Sequence, residues 1–197
     1  AAGVNFPDTL IIENKYQYKP DLPFSPGGEV AGIIDALGDD VSDYSVGEKV
    51  MAMTLFGGFS EFILVDSNAL LRIPKEMDTI TAAGFTMTYG TSMYALKQRG
   101  FLKSGEKLLV LGAGGGVGIT AVEIGKLMGA EVIAAASSQN KLIAAKRAGA
   151  DHLINYSEGN IREKIKNISG SNGIDVLYDP VGGELFEPCL RSLAWGG

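Results

Sequence analysis

The sequence has one cysteine and one histidine in 197 residues, and this scarcity excludes several classes of protein. Cys189 alone cannot form an internal disulfide, and so few cysteines are typical of a reducing compartment, which makes the cytoplasm the predicted location. His152 and Cys189 lie in separate predicted elements. The chain therefore offers no Ser/His/Asp or Cys/His set for nucleophilic catalysis.

Long apolar runs and an excess of positive charge are also missing. The longest apolar stretches, such as 108–111 and 132–136, fall far short of the roughly 20 residues that a membrane-spanning helix needs. The 23 acidic and 17 basic residues give a net charge of −6, and a negative surface repels nucleic acid and anionic membranes. The remaining composition, 46% hydrophobic and 20% charged, is typical of a globular protein of one or two domains rather than a disordered or fibrous one.

The first part of the chain has the pattern of an all-β domain. In residues 1–75, short apolar runs at 30–37, 49–53 and 59–65 are separated by Gly, Pro and Asp residues that favour turns, which predicts a small barrel. From Asp78 onward, small and apolar residues recur every three or four positions and predict a single linking helix. We place the two domains at 1–78 and 79–197.

After Gly105 the pattern alternates between strand and helix. Continuous apolar runs predict strands at 107–111, 131–136, 152–154 and 175–178, with helices at 117–128, 139–148, 160–168 and 184–193. Such runs are expected when helices cover both faces of a parallel sheet. We therefore predict an α/β fold, a Rossmann doubly wound parallel sheet.

A glycine-rich segment joins the first of these strands to the first helix. This glycine loop comprises Gly112, Ala113, Gly114, Gly115, Gly116, Val117 and Gly118. It can be framed as Gly-x-x-Gly-x-x-Gly or as the dinucleotide fingerprint Gly-x-Gly-x-x-Gly with Ala113 in the first position. Glycines let the backbone approach a pyrophosphate, and the helix start supplies free N–H groups. The alternative is a turn needed only for packing the helix on the sheet.

The end of the second strand indicates which nicotinamide cofactor binds. An Asp or Glu there would hold the ribose 2′-hydroxyl of NAD, but the segment carries Ser137, Ser138 and Lys141 and no carboxylate. Glu131 is expected to begin this strand, at the opposite edge of the sheet. Two hydroxyls and a lysine can hold a 2′-phosphate, so NADPH is the predicted cofactor. The alternative makes the serines a capping turn and the lysine a solvated helix residue.

Five segments, in order along the chain, resemble the zinc-free quinone oxidoreductase branch of the medium-chain dehydrogenase/reductase superfamily. They are Gly-Val-Asn-Phe-Pro-Asp-Thr at 3–9, Pro-Gly-Gly-Glu-Val-Ala-Gly at 26–32, Val-Gly-Glu-Lys-Val at 46–50, Gly-Gly-Gly-Val-Gly at 114–118 and Asp-Pro-Val-Gly-Gly at 179–183. The resemblance implies a GroES-like β-barrel domain followed by a Rossmann domain, NADPH as cofactor and a homodimer. The chain starts without methionine and stops where a new strand is expected, so we expect a fragment in which the barrel lacks its N-terminal part and the Rossmann sheet its C-terminal part.

The resemblance also implies roles for single residues. Asn5, Tyr16 and Thr88 match residues near the nicotinamide and substrate, and Tyr156, Val181 and Gly182 match residues that contact the cofactor. Simpler alternatives stay open for three of them. Asn5 could form an Asx turn, Tyr16 could be a packed surface aromatic, and Tyr156 could be an aromatic at a strand end.

Zinc-dependent relatives carry a Gly-His-Glu element where this chain has Gly27, Gly28 and Glu29. A catalytic zinc site takes three protein ligands, which the single histidine and cysteine cannot begin, so we predict no metal. Hydride transfer to a quinone or an enone is then the predicted reaction, because conjugation in the acceptor stabilises the electron pair. The alternatives are an enoyl-thioester (acryloyl- or enoyl-CoA) reductase of the same superfamily and a non-catalytic NADPH-binding protein.

Overall fold

A computed structural model describes all 197 residues, which fold as two compact units, Ala1–Met87 and Thr88–Gly197. The chain passes from one unit to the other inside a helix, further along than the limit at residue 78 that the sequence suggested. None of its helices combines the length and apolar composition needed to cross a membrane.

The first unit contains a three-stranded antiparallel sheet in the order β1-β2-β3. Its elements are α1 (Phe6–Ile12), β1 (Glu29–Ile33), β2 (Lys49–Met53), a 3₁₀ turn (Ser67–Ala69), β3 (Leu70–Arg72) and α2 (Thr79–Ala83). Side chains from β1 and β2 pack with α2 into one small core of Ala31, Met51, Ile73, Ala82 and Ala83. This sheet is the GroES-like part of the fold that the resemblance implies.

The all-β prediction for residues 1–75 is wrong at α1. Pro7 and Asp8 lie in the first turn of this helix, and both residue types favour a helix start. The predicted strand at 59–65 is also wrong, because the segment is irregular and exposes Phe62 by 75% and Leu64 by 100%. A strand needs a hydrogen-bonded neighbour, and no strand of the chain pairs with this segment.

The single linking helix predicted after Asp78 is divided in the structure. Helix α2 ends at Gly84, whose N–H donates to Thr81 O at 3.2 Å in a tight final turn, and α3 (Thr86–Met93) begins two residues later. A π-helical segment, Tyr94–Arg99, continues from α3. Among the small and apolar residues at this helical spacing, Ala83 is buried whereas Ile80 is 80% exposed.

The second unit is built on a four-stranded parallel sheet in the order β6-β5-β4-β7, which confirms the predicted α/β fold. Its elements are β4 (Lys107–Leu111), α4 (Gly116–Leu127), β5 (Glu131–Ala136), α5 (Gln139–Arg147), β6 (His152–Asn155), α6 (Ile161–Ser169), β7 (Val176–Tyr178), a 3₁₀ turn (Gly183–Leu185) and α7 (Phe186–Leu190). The last helix is shorter than the 184–193 predicted.

The central strand β4 shows why these strands read as continuous apolar runs. Leu108 and Val110 point into one hydrophobic cluster, whereas Leu109 and Leu111 point into another on the opposite face. All four are completely buried, because helices cover both faces of the sheet. The core of this unit is therefore two layers with β4 between them.

Charged residues collect at the edge of the sheet where the parallel strands begin. Glu131 is the first residue of β5, as predicted, and pairs with His152 Nε2 at 2.9 Å and Lys107 Nζ at 3.2 Å. Asp151 accepts hydrogen bonds from Lys126 Nζ at 2.7 Å and from the Val132 amide at 2.7 Å. Burial opposes ionisation of Asp151, but these hydrogen bonds outweigh it and lower the pKa of its carboxyl.

The variant Asp151→Asn should lower the free energy of unfolding by about 1 kcal/mol at pH 7, because a half-exposed, charge-assisted contact is lost. A carboxyl with a lowered pKa stabilises the fold above its unfolded pKa of about 3.9 and loses that contribution as the pH falls through the folded value. Urea titrations at pH 7 and pH 3 should therefore show a larger difference from wild type at pH 7 than at pH 3. The control Glu184→Gln changes an exposed carboxylate of the same unit and should match wild type at both.

Candidate cofactor-binding site

The predicted cofactor-binding residues all follow the carboxyl ends of the parallel strands. The glycine loop follows β4, Ser137 to Lys141 follow β5, Tyr156 follows β6, and Val181 with Gly182 follow β7. Because the strands are parallel, these ends lie at one edge of the sheet, which is where ligands bind in open α/β sheets. The fold thus brings together four segments that are far apart in the sequence.

The glycine loop contains two glycines that the geometry requires. Gly112 has φ 61°, in the left-handed region that favours glycine. Gly118 is buried, and a Cβ there would lie 2.2 Å from Gly112 O and 2.8 Å from Ala113 Cα. The packing explanation weighed for these glycines thus holds for Gly118, whose missing side chain lets α4 approach the end of β4.

The start of α4 offers unused hydrogen-bond donors. Gly115 is the N-cap without a capping side chain, and the first hydrogen bond into the helix runs from the Ile119 amide to Gly115 O at 2.9 Å. The amides of Gly116, Val117 and Gly118 have no acceptor within the chain. Three free N–H groups and the positive end of a 12-residue helix dipole make this turn suited to a phosphate group.

The segment after β5 combines hydroxyls with a positive charge. Lys141 Nζ donates to Ser137 Oγ at 3.1 Å, so the ammonium lies beside the end of the strand. Ser138 is the N-cap of α5, as the capping alternative expected, but its hydroxyl makes no capping hydrogen bond. Ser157, from the segment after β6, donates to Ser137 O at 3.0 Å. The hydroxyls of Ser137 and Ser138 and the exposed ammonium of Lys141 are therefore available to a ligand.

The loop after β7 is shaped by a carboxylate. Asp179 Oδ1 accepts hydrogen bonds from the amides of Val181 and Gly182, both at 2.8 Å. This turn places Val181 against the glycine loop, where its Cγ2 is 2.8 Å from the position of a Cβ on Gly112. The structure thus brings Val181, which the sequence assigned to the cofactor, to the first residue of that loop.

Tyr156 occupies the end of β6, where its amide donates to Ala136 O at 3.1 Å. Its ring packs against the cluster that contains Leu109 and Ile133. This is the strand-end packing that we weighed as its alternative, and a contact with the cofactor stays a prediction.

A buried hydroxyl network that the sequence reasoning missed joins α3 to the helix of the glycine loop. Ser92 Oγ donates to Val117 O at 2.8 Å and lies 2.9 Å from Thr120 Oγ1 and 3.3 Å from the Tyr178 hydroxyl. Burial raises the pKa of Tyr178, so its hydroxyl stays a donor. The available signal was a serine and a threonine on helix faces that also carry apolar residues.

Thr88 lies next to this network. Thr120 Oγ1 is 3.1 Å from Thr88 O, and Thr88 Cγ2 is 3.2 Å from the position of a Cβ on Gly116. The residue predicted to lie near the nicotinamide therefore contacts the glycine loop, although its catalytic role stays a prediction.

Asn5 is held inside the first unit by a buried carboxylate. Its Nδ2 donates to Glu29 Oε2 at 3.0 Å, and Glu29, which is completely buried, also accepts from the Met87 amide at 2.7 Å. Asn5 is also the N-cap of α1, and its backbone N–H donates to Asp8 Oδ2 at 2.7 Å. These contacts give Asn5 a local structural role, as its alternative in the sequence analysis expected. A catalytic role for Asn5 stays a prediction.

Tyr16 is half-buried in the same unit. Its amide donates to Leu10 O at 3.2 Å, and its hydroxyl makes no hydrogen bond within the chain. The hydroxyl is therefore free to meet a ligand, and its role in catalysis stays a prediction.

Two family models cover most of the chain. The model described as Alcohol dehydrogenase GroES-like domain matches residues 1–75, and the model described as Zinc-binding dehydrogenase matches residues 116–197. Quinone oxidoreductase-like protein 2 of Rattus norvegicus is 38% identical over 99% of the chain, which spans 56% of that relative. The chain belongs to the quinone oxidoreductase-like family of the medium-chain dehydrogenase/reductase superfamily.

Solved structures of related proteins have the same fold. Quinone oxidoreductase of Escherichia coli complexed with NADPH superposes with a TM-score of 0.92 at 32% identity, over 98% of the chain and 59% of that protein. The CurK enoyl reductase gives a TM-score of 0.89 at 30% identity, over 98% of the chain and 60% of that protein. The chain thus spans a little more than half the length of the relatives it matches.

Zinc occurs in the name of one matching family model, but the residues of this quinone oxidoreductase-like chain do not fit a zinc site. No three His, Cys, Asp or Glu side chains come together in the way that a metal ion requires. Glu29, at the position of the Gly-His-Glu element, is already hydrogen-bonded to Asn5 and the Met87 amide. Burial, with a contribution from Asp179, raises the pKa of Cys189 to about 11, so this thiol is a poor metal ligand.

The variant Ser92→Ala should lower the free energy of unfolding by about 1–3 kcal/mol, because the buried Tyr178 hydroxyl loses a partner. Amide hydrogen exchange should rise in the first turns of α4, which lose their hydrogen bond to α3. Thr91→Ala, at the exposed neighbouring position of the same helix, is the control and should leave both measurements near wild type. Equal protection of α4 in both variants would contradict a role for Ser92 in holding this helix.

Proposed function

We propose that the protein is an NADPH-dependent oxidoreductase that reduces a quinone or an enone-type double bond without a metal. The observation that carries the proposal is the edge formed by the free amides of Gly116, Val117 and Gly118 together with Ser137 and Lys141. Two NADPH-bound relatives of the same fold support it, the quinone oxidoreductases of Escherichia coli and Thermus thermophilus.

The residues at this edge fit the parts of NADPH. The amides at the start of α4 would hold the pyrophosphate, since they are unpaired donors at the positive end of a helix dipole. Ser137, Ser138 and Lys141 would hold the 2′-phosphate through hydroxyls and one positive charge. Val181 and Gly182 would border the nicotinamide. Tyr156 would contact the adenosine side.

Bound NADPH supplies a hydride, and the chain supplies its position. The glycine loop would fix the pyrophosphate, and the turn held by Asp179 would limit where the ring can lie. No set of metal ligands offers a Lewis acid, so we infer an acceptor whose own conjugation stabilises the incoming electron pair. The proton would come from solvent or from Tyr16, whose hydroxyl is free of internal hydrogen bonds.

The cofactor assignment is tested by Lys141→Ala. Removing the ammonium should raise the Kd for NADPH about 10–100-fold and leave the Kd for NADH within about twofold, because only the 2′-phosphate loses a charge-assisted contact. Fluorescence titration of both cofactors measures this. Lys146→Ala is the matched control, since this lysine belongs to the last turn of the same helix and donates to Ala150 O. Tighter binding of NADH than of NADPH by wild type would contradict the assignment.

The acceptor is tested by NADPH oxidation with a benzoquinone, a simple enone and an enoyl-CoA, each at matched concentration. Turnover with the quinone or the enone is expected. An enoyl-thioester reductase is the second candidate, favoured by the fold shared with the CurK enoyl reductase, and turnover confined to the enoyl-CoA would establish it instead. Tight NADPH binding without turnover of any of the three would indicate a non-catalytic binder.

Two further properties belong to the proposal. A homodimer follows from the family resemblance alone, and a cytoplasmic location follows from the single cysteine.

A further inference from the structure

Gly114 has no evident reason to be glycine in the fingerprint itself. In the frame Ala113-x-Gly115-x-x-Gly118 it occupies one of the variable positions. Its φ lies outside the left-handed region, unlike that of Gly112, so its backbone conformation is open to any residue. The reason must therefore be a close neighbour.

That neighbour is Lys141. A Cβ on Gly114 would lie 2.4 Å from Lys141 Cβ, 2.7 Å from its Cγ and 3.0 Å from its Cα. Such distances are much shorter than a van der Waals contact between carbon atoms. The overlapping atoms are the base of the side chain and the backbone of α5, so no rotation of the lysine could relieve the overlap. A side chain at Gly114 would have to push the first turn of α5 away from the loop.

Two contacts hold the Lys141 side chain in place. The base of its side chain rests on Gly114, and its ammonium donates to Ser137 Oγ at 3.1 Å. A free lysine side chain loses conformational entropy when it is ordered, because its four rotatable bonds become fixed. Holding it in advance reduces the entropy that a ligand must remove on binding.

We propose that Gly114 is a residue that determines cofactor specificity: its missing side chain lets Lys141 rest on the glycine loop and so holds the ammonium beside Ser137 for a 2′-phosphate. This inference rests on the proposed function, because it assumes that the site takes NADPH. It differs from the usual role of fingerprint glycines, which is to admit the pyrophosphate common to NADPH and NADH.

Gly115 provides the matched comparison. A Cβ there would meet only Gly112 O, at 3.4 Å, and would not touch Lys141. Gly115 is, however, the fingerprint glycine beside the free amides, so its replacement should affect both cofactors equally. Variants of the two adjacent glycines therefore distinguish a role in positioning Lys141 from a role in admitting the pyrophosphate.

The experiment measures the Kd for NADPH and for NADH in the wild type, Gly114→Ala and Gly115→Ala. Gly114→Ala should raise the Kd for NADPH about tenfold and leave that for NADH within about twofold, whereas Gly115→Ala should raise both by the same factor. Equal weakening of both cofactors by Gly114→Ala, or an unchanged NADPH preference, would overturn the inference while the proposed function stands. A wild type without any NADPH preference would overturn both.

If Gly114→Ala does not fold, a second pair of variants, Lys141→Gly with and without Gly114→Ala, tests the same inference. Lys141→Gly removes the two closest atoms, the Cβ at 2.4 Å and the Cγ at 2.7 Å, and leaves only the Cα at 3.0 Å, which a shift of a few tenths of an ångström relieves. Gly114→Ala should therefore be accommodated in that background. Adding Gly114→Ala to Lys141→Gly should then leave both Kd values within about twofold of Lys141→Gly alone. A further loss of affinity for both cofactors in this background would assign Gly114 to the pyrophosphate and overturn the inference.

Discussion

The close approach of α4 to the end of β4 is the constraint on which the second unit depends. Gly118 allows it, because any side chain there would overlap Gly112 O and Ala113 Cα. The approach fixes the position of the first turn of α4, whose three amides have no acceptor in the chain because the helix start has no capping side chain. Ser92 and Thr120 then hold the same turn from the side of α3. One tight contact between backbone segments thus defines the strand end, the helix start and the donors that face a ligand.

The second unit was predictable from sequence because its signals are local and repeated. The runs at 107–111 and 131–136 became strands with these same limits, since strands covered on both faces are apolar at every position. The starts of α4 and α5, after Gly115 and Ser138, were predicted to within one residue. The position of the binding segments also followed, because strands of a parallel sheet all end at one edge.

The first unit was harder to predict because its structure depends on contacts between distant segments rather than on local patterns. An antiparallel sheet with few strands depends on long-range pairing, so an apolar run such as 59–65 carries no sign of whether a neighbouring strand exists. The break at Gly84 was missed because small residues at helical spacing fit one helix or two. The contacts of Glu29 with Asn5 and of Gly114 with Lys141 were also missed, because each joins residues that are far apart in the chain.

The parallel sheet of the second unit has two edges with different tasks. Where the strands begin, Glu131, His152, Lys107, Asp151 and Lys126 pair with one another and with backbone groups of the unit. Where the strands end, the donors of the glycine loop and the serine hydroxyls remain available. The buried length of the strands separates these edges, so the side chains of the ion pairs do not contact the segments that follow the strand ends. Thermal robustness and ligand preference are therefore separable properties in this architecture, and an engineer could alter one edge without disturbing the other.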